Sequence, residues 1–206
     1  MVVGVAAIGI SVGLMRLAAL GLDPYTGMNY ATSRLLGLNF GSWQLVVNLL
    51  LLVVVFLRFR KLIGLGTVIN MVAVGYIADF VAWLARDLSP AIWHRGLLLA
   101  TGCVIMSLGA ALYMVPEMGV SPYDAVALML VRNRKVSFRV MRIATDATCV
   151  VVAVLMCLLG STPWHTVVNA GTIITALFTG PLIQFFRTSV AEPLYRKGHF
   201  TKTKPE

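Results

Sequence analysis

Charge is scarce in this 206-residue sequence. Asp, Glu, Lys and Arg together make up 12% of it, against roughly 25% in an ordinary soluble domain. A chain that is 59% hydrophobic, with mean hydropathy +0.87, cannot cover a folded surface with polar groups, which leaves lipid as its solvent. Acidic residues are scarcer still: eight against 17 basic ones, for a net charge of +9. In a soluble chain that imbalance would point to nucleic acid. No nucleic-acid-binding motif accompanies it, and membrane orientation accounts for it better. The three cysteines, Cys103, Cys149 and Cys157, are odd in number, lie in apolar stretches and form no CxxC, so neither a disulfide framework nor a zinc site is expected. The motifs of enzymes are missing as well. There is no Walker A loop, HExxH, GxSxG or dinucleotide fingerprint, and Gly64-Leu65-Gly66-Thr67 opens an apolar span instead of a phosphate loop. His94, His165 and His199 do not cluster. No enzyme activity, cofactor or metal is expected.

What is present is apolar length. Six stretches, 1–20, 42–58, 63–86, 96–116, 137–160 and 165–187, approach or exceed the roughly 20 residues that a helix needs to cross a bilayer. Backbone groups in hydrocarbon must be satisfied internally, so the spans are predicted to be helices. The N-terminus lacks a basic segment before its apolar run, so 1–20 reads as a retained span and not as a cleaved signal. With the N-terminus placed in the cytoplasm, the cytoplasmic segments carry Arg58, Arg60, Lys61, Arg132, Arg134, Lys135, Arg139, Arg187, Arg196, Lys197, Lys202 and Lys204. The external ones carry only Arg34, Arg86 and Arg95. This asymmetry predicts both termini inside and an even number of spans. Trp43, Trp83, Trp93 and Trp164 fall near the external ends, in agreement.

The chain repeats itself. Gly21-Leu22-Asp23-Pro24-Tyr25 matches Gly119-Val120-Ser121-Pro122-Tyr123, with Gly4, Arg34, Phe40 and Asn48 aligned to Gly102, Arg132, Phe138 and Asp146. After a slip of one residue, Thr67-Val68-Ile69-Asn70 matches Thr166-Val167-Val168-Asn169. Residues 1–206 thus read as a single membrane domain: repeat 1 at 1–90, repeat 2 at 96–187 and a basic cytoplasmic tail at 188–206. Three spans per repeat is an odd number, so the second repeat is expected to enter from the opposite side, an inverted topology common among transporters. Small residues at Gly9 and Gly13, matched by Ser107 and Ala111, predict close packing between the first helices of the two repeats.

In each Gly-x-x-Pro-Tyr segment the glycine (Gly21, Gly119) is read as ending the preceding helix. Asp23 or Ser121 caps a new one, with Pro24 or Pro122 at its first position. These helices, near 24–37 and 122–132, are too short to cross. They either lie flat at opposite interfaces or dip inward as half-helices. The stripe Thr26, Asn29 and Ser33, opposite Tyr25, Met28 and Leu36, favours an interfacial first helix, whereas the apolar run 125–131 suits burial. Asp23 and Asp124 place negative charge at the helix N-termini, which disfavours an anionic cargo.

Charges within spans are costly and mark candidate sites. Arg142 and Asp146 share a face at i, i+4, and Asp146 is the leading candidate for a coupling ion or proton. Gln44 and Asn48 occupy the matching positions of repeat 1, predicting a polar seam between repeats. Asn70 and Asn169 are read as equivalent residues facing protein or a cavity. Asp79 is placed near an external end, within reach of water. A structural ion pair and helix-locking hydrogen bonds remain the plain alternative for all of these.

At Gly21–Asn29 (GLDPYTGMN), Gly41–Asn48 (GSWQLVVN), Ile63–Phe80 (IGLGTVINMVAVGYIADF), Met118–Asp124 (MGVSPYD) and Gly180–Phe186 (GPLIQFF) the chain resembles the YczE/YyaS/YitT-type family of bacterial membrane proteins, most closely its YczE/YyaS branch. The resemblance implies a small multi-span inner-membrane protein and supplies no substrate. It also implies a short basic leader that this sequence does not show, so a truncated start is expected. The expected function is a transporter or channel-like protein for a small molecule or ion, with its site at the repeat interface. The alternative is a non-transporting scaffold that assists another membrane or secretory system. Lipid is the expected partner, nucleic acid is not, and nothing in the sequence supports an oligomer.

Overall fold

The computed structural model describes residues 1–59, 63–88, 90–116, 118–132, 138–160 and 162–200. All regular structure among them is helical: α1 (Val2–Ala18), α2 (Pro24–Leu36), α3 (Phe40–Phe59), α4 (Leu65–Leu84), α5 (Ile92–Met114), α6 (Pro122–Arg132), α7 (Phe138–Leu159), α8 (Trp164–Val167), α9 (Ala170–Phe186), a π-helical turn (Arg187–Ala191) and α10 (Glu192–Phe200). Among the described residues, five segments, where six were expected, combine membrane-crossing length with apolarity: Phe40–Arg58, Leu65–Leu84, Ile92–Met114, Val140–Leu159 and Trp164–Arg196. The predicted first span is apolar but shorter, 17 residues, or about 25 Å. It stops because Ala19 takes the left-handed conformation at φ 50°, two residues before the glycine expected to end it. The predicted sixth span is interrupted at Val168, which is extended, before Asn169 caps α9. The tail expected from residue 188 begins as a helical continuation of α9. Arg60, Lys61, Arg134, Lys135, Lys202 and Lys204 lie outside the described residues.

The core forms where α1 meets α5 and α4. A Cβ on Gly4 would sit 2.6 Å from the Gly109 carbonyl oxygen and 2.8 Å from Tyr113 N, and one on Gly102 would meet Met15 and Ser11. The start of α1 therefore lies against the end of α5 and the reverse, an antiparallel crossing made close by glycine. Gly9 and Gly13 do something other than predicted. They seat Val74, Ile77 and Val81 of α4, so this small-residue face serves the α1–α4 contact, while Gly4, Gly102 and Gly109 serve α1–α5.

The chain's halves interlock beyond that crossing. α2 packs on α7, and α6 packs on α3. Gly66 N donates to Met118 O at 2.9 Å, and Gly171 N donates to Leu20 O at 2.9 Å. Each Gly-x-x-Pro-Tyr link is thus bonded to the start of a helix in the other half. Gly21 (φ +107°) and Gly119 (φ +106°) belong to these contacts, since a Cβ on Gly119 would lie 2.6 Å from Gly64 N and one on Gly21 2.8 Å from Thr172 N. The local equivalence is therefore Gly64-Leu65-Gly66-Thr67 with Asn169-Ala170-Gly171-Thr172. In both, the threonine hydroxyl accepts from the backbone N–H three residues back, at 3.2 Å to Gly64 and 3.3 Å to Asn169. The expected pairing of Asn70 with Asn169 is out of register: Asn70 lies inside α4, whereas Asn169 is the exposed N-cap of α9.

Gly37 (φ +68°) has nothing within 4 Å of where a Cβ would stand, so Gly37→Ala is expected to cost only about 1 kcal/mol of backbone strain. Gly119→Ala adds a backbone clash and should cost at least ~2 kcal/mol. Comparing the two by denaturant titration in detergent checks the difference.

Candidate functional site

The two short helices begin as their sequences dictate. Asp23 Oδ1 accepts from Thr26 N at 3.2 Å with Pro24 behind it. Ser121 Oγ accepts from Asp124 N at 3.1 Å and donates to Asp124 Oδ2 at 2.7 Å. These caps point the tyrosine after each proline at its counterpart. The rings of Tyr25 and Tyr123 stack with centroids 4.4 Å apart and 19° between planes. The two short helices therefore meet at their N-terminal ends. The polar stripe expected to face water is turned into the protein: Thr26, Asn29 and Ser33 are buried, while Leu35 and Leu36 are exposed.

From the stack, each hydroxyl reaches a long helix. Tyr25 donates to Asn48 Oδ1 on α3 at 2.7 Å, and Tyr123 donates to Asp146 Oδ1 on α7 at 2.6 Å. Asn48 and Asp146 are thus brought to one centre through two phenols. Arg142 joins it on the Asp146 side. Its Nε lies 3.4 Å from Asp146 Oδ1, its Nη1 pairs with Asp124 Oδ1, and its guanidinium carbon lies 4.5 Å from the Tyr123 ring centre. Arg142 therefore serves two carboxylates and an aromatic face, and the i, i+4 pair is only part of its role. Gln44, at the matching position of α3, is buried without a partner on Oε1. Asn70 and Asn169 are not among the groups bonded at this centre. Among the described residues no group of three or more His, Cys, Asp or Glu could hold a metal ion.

A second charged cluster escaped the sequence reading. Asp79 is tied down, not left to water: Oδ1 takes Arg16 Nη1 at 2.7 Å, and Oδ2 accepts from Gly41 N at 2.6 Å. Arg16 also lies 5.0 Å from the Tyr30 ring and 4.9 Å from that of Phe40. This cluster ties α1, α4 and the start of α3 together. The signal was available: a lone arginine in an apolar helix needs a lone acid elsewhere.

Antiparallel apolar helices with their polar groups gathered inside define a helical membrane protein. Residues 1–188 match the family of unknown function DUF6198, and the chain belongs to that family. It is 25% identical over 171 residues to the "Uncharacterized membrane protein YczE" of Bacillus subtilis, covering 81% of this chain and 74% of that one. It is 27% identical over 186 residues to an "Uncharacterized protein" of Haemophilus influenzae, covering 89% and 80%, and 22% identical over 194 residues to the "Uncharacterized protein YyaS" of Bacillus subtilis, covering 89% of each. No solved structure matches.

Tyr123→Phe removes a hydrogen bond to the charged Asp146 carboxylate, leaving it only the longer contact to Arg142, and is expected to cost about 1.5–3 kcal/mol. Tyr25→Phe, which strands only the neutral Asn48, should cost about 1 kcal/mol. Equal losses in denaturant titrations would contradict the asymmetry.

Proposed function

We propose that this protein moves a small solute or ion across the bacterial cytoplasmic membrane, through a site between two three-helix repeats of opposite topology. In this reading both termini are cytoplasmic, and α2 and α6 are half-helices that enter the membrane from opposite faces and meet inside it. The observation that carries it is the Tyr25–Tyr123 stack, with Asn48 and Asp146 on its two sides. Broken helices meeting among polar side chains are the usual construction of a transporter's midplane site, and intramembrane polar groups gather where something passes. The antiparallel α1–α5 crossing supports the inverted topology.

A scaffold that assists another membrane system is the competing reading. It draws on the pairing of Arg142 with both Asp124 and Asp146 and on the position of a cleft of about 520 Å³ lined by Tyr30, Arg34, Gly160, Pro163 and Thr166. That cleft lies at the far ends of α2 and α7, about 20 Å along α7 from Asp146.

Flux in proteoliposomes separates the two. Transport predicts uptake of an ion or metabolite by the wild type and at least a ~10-fold loss in Asp146→Asn, equivalent to roughly 1.4 kcal/mol on the pathway. No flux, together with a stable co-purified partner whose function is unchanged by Asp146→Asn, favours the scaffold. Labelling of cysteines at Arg134 and Lys202 from outside the cell would overturn the proposed orientation.

A further inference from the structure

The cleft at the far ends of α2 and α7 has two sides of opposite electrical sign. On one side stands Arg34, in the last turn of α2. It is exposed, and no Asp or Glu among the described residues pairs with it. On the other side lies the carbonyl end of α7, at Leu159 and Gly160. A helix C-terminus carries about half a negative charge, on carbonyls that have no partner within the helix. The two helices are finished differently. α2 closes on Gly37, whose N–H donates to Arg34 O at 3.3 Å, while Leu38 N donates to Ser33 O at 2.9 Å. Arg34 adds a positive charge to that same turn. α7 has no basic residue in its last turn, and the bond from Gly160 N to Met156 O, 3.0 Å, closes it without bringing a charge. Tyr30 and Thr162 add hydroxyls to the lining, able to donate as well as accept.

The cleft also sits where apolar surface stops. The membrane-length segment of α7 ends at Leu159, which lines the cleft. From there Leu159, Leu155 and Val151, four residues apart on one face, run along α7 as a stripe 71%, 50% and 59% exposed. Leu35 brings apolar surface to the cleft from α2. The volume of about 520 Å³ falls within the roughly 300–1,000 Å³ of small-molecule sites. One guanidinium against two helix C-termini of about half a negative charge each leaves the recess close to neutral overall. That balance disfavours a ligand with net charge and favours one that carries both signs a short distance apart. We propose that the cleft binds one zwitterionic phospholipid with a primary ammonium headgroup. Its phosphate pairs with Arg34, its ammonium with the carbonyl end of α7, and one acyl chain follows Leu159, Leu155 and Val151. Arginine's planar fork suits a phosphate, and an ammonium offers three N–H donors to carbonyls. A trimethylated headgroup has no such donor. An anionic headgroup would satisfy Arg34 but set negative charge against the end of α7.

This site goes beyond the transport reading and does not rest on it; the proposed orientation decides only which leaflet supplies the lipid. The experiment is thermal unfolding of the purified, delipidated full-length protein in detergent. Phosphatidylethanolamine, phosphatidylcholine or phosphatidylglycerol with the same acyl chains is added at equal mole fraction. Phosphatidylethanolamine is expected to raise the midpoint by a saturable few degrees, and the other two by less. Arg34→Gln should lose that increment, whereas Arg86→Gln, which removes an exposed arginine paired with Asp87, should keep it. Thr162→Val should raise the lipid fraction needed for half the increment several-fold, and it decides if Arg34→Gln does not fold. Equal increments from the three lipids would mean a general effect of lipid and overturn the site. So would an increment that survives Arg34→Gln. A larger effect of phosphatidylglycerol overturns the zwitterionic assignment. The full increment from water-soluble phosphoethanolamine assigns the cleft to a soluble ligand and overturns the lipid.

Discussion

Two phenol rings lying 4.4 Å apart hold four helices to one point. Each ring belongs to a short helix, hydrogen-bonds a long helix of its own half, and touches the ring of the other half. Meanwhile the short helix itself rests on the long helix of the opposite half. A stacked aromatic pair contributes about 0.5–1.5 kcal/mol beyond its buried area, which is modest. Its structural effect is larger because the hydroxyls fix both rings. Tyr25 cannot turn without leaving Asn48, nor Tyr123 without leaving Asp146. The caps at Asp23 and Ser121, the close glycine contacts at Gly21 and Gly119, and the backbone bonds from Gly66 and Gly171 all place the tips of α2 and α6 so that the rings can meet.

Around that shared centre the halves differ. The first half is braced at one end by Arg16 and Asp79, which join three helices with a salt bridge, a helix-capping bond and two aromatic faces. Sequence matching puts Met114 opposite Arg16, so the second half has no copy of this brace. It carries its arginine at the centre instead. One half places its arginine at the periphery, and the other places it at the middle.

Much of this was legible because lipid leaves few options. Helix boundaries followed apolar length, the caps followed Asp23-Pro24 and Ser121-Pro122, and Asn48 and Asp146 stood out as polar residues inside apolar stretches. What was missed has physical causes. The stripe of Thr26, Asn29 and Ser33 reads as water-facing under the rules of soluble proteins, but a helix surrounded by lipid and protein turns such residues inward. Gly9 and Gly13 announce a close contact without naming the partner, and α4 was as available as α5. The Thr-Val-x-Asn match was the more conspicuous string, yet a threonine that closes a helix start needs only Gly-Thr after a cap, and the two helix starts that share this bond are those of Thr67 and Thr172. Ala19 in a left-handed conformation gives no sign of itself in sequence, which is why the first helix ends before its glycine.

The exchange of short helices between halves has a consequence for folding. Residues 1–88 alone would bury neither the face that α2 turns to α7 nor the face that α3 turns to α6, and the glycines of α1 would lack the helix they fit. The surfaces that finish each half are made last and by the other half, so the first half must wait in the bilayer, its inward-turned polar stripe unmatched, until the second has been inserted. A chain of half this length could satisfy the same surfaces only by finding another copy of itself.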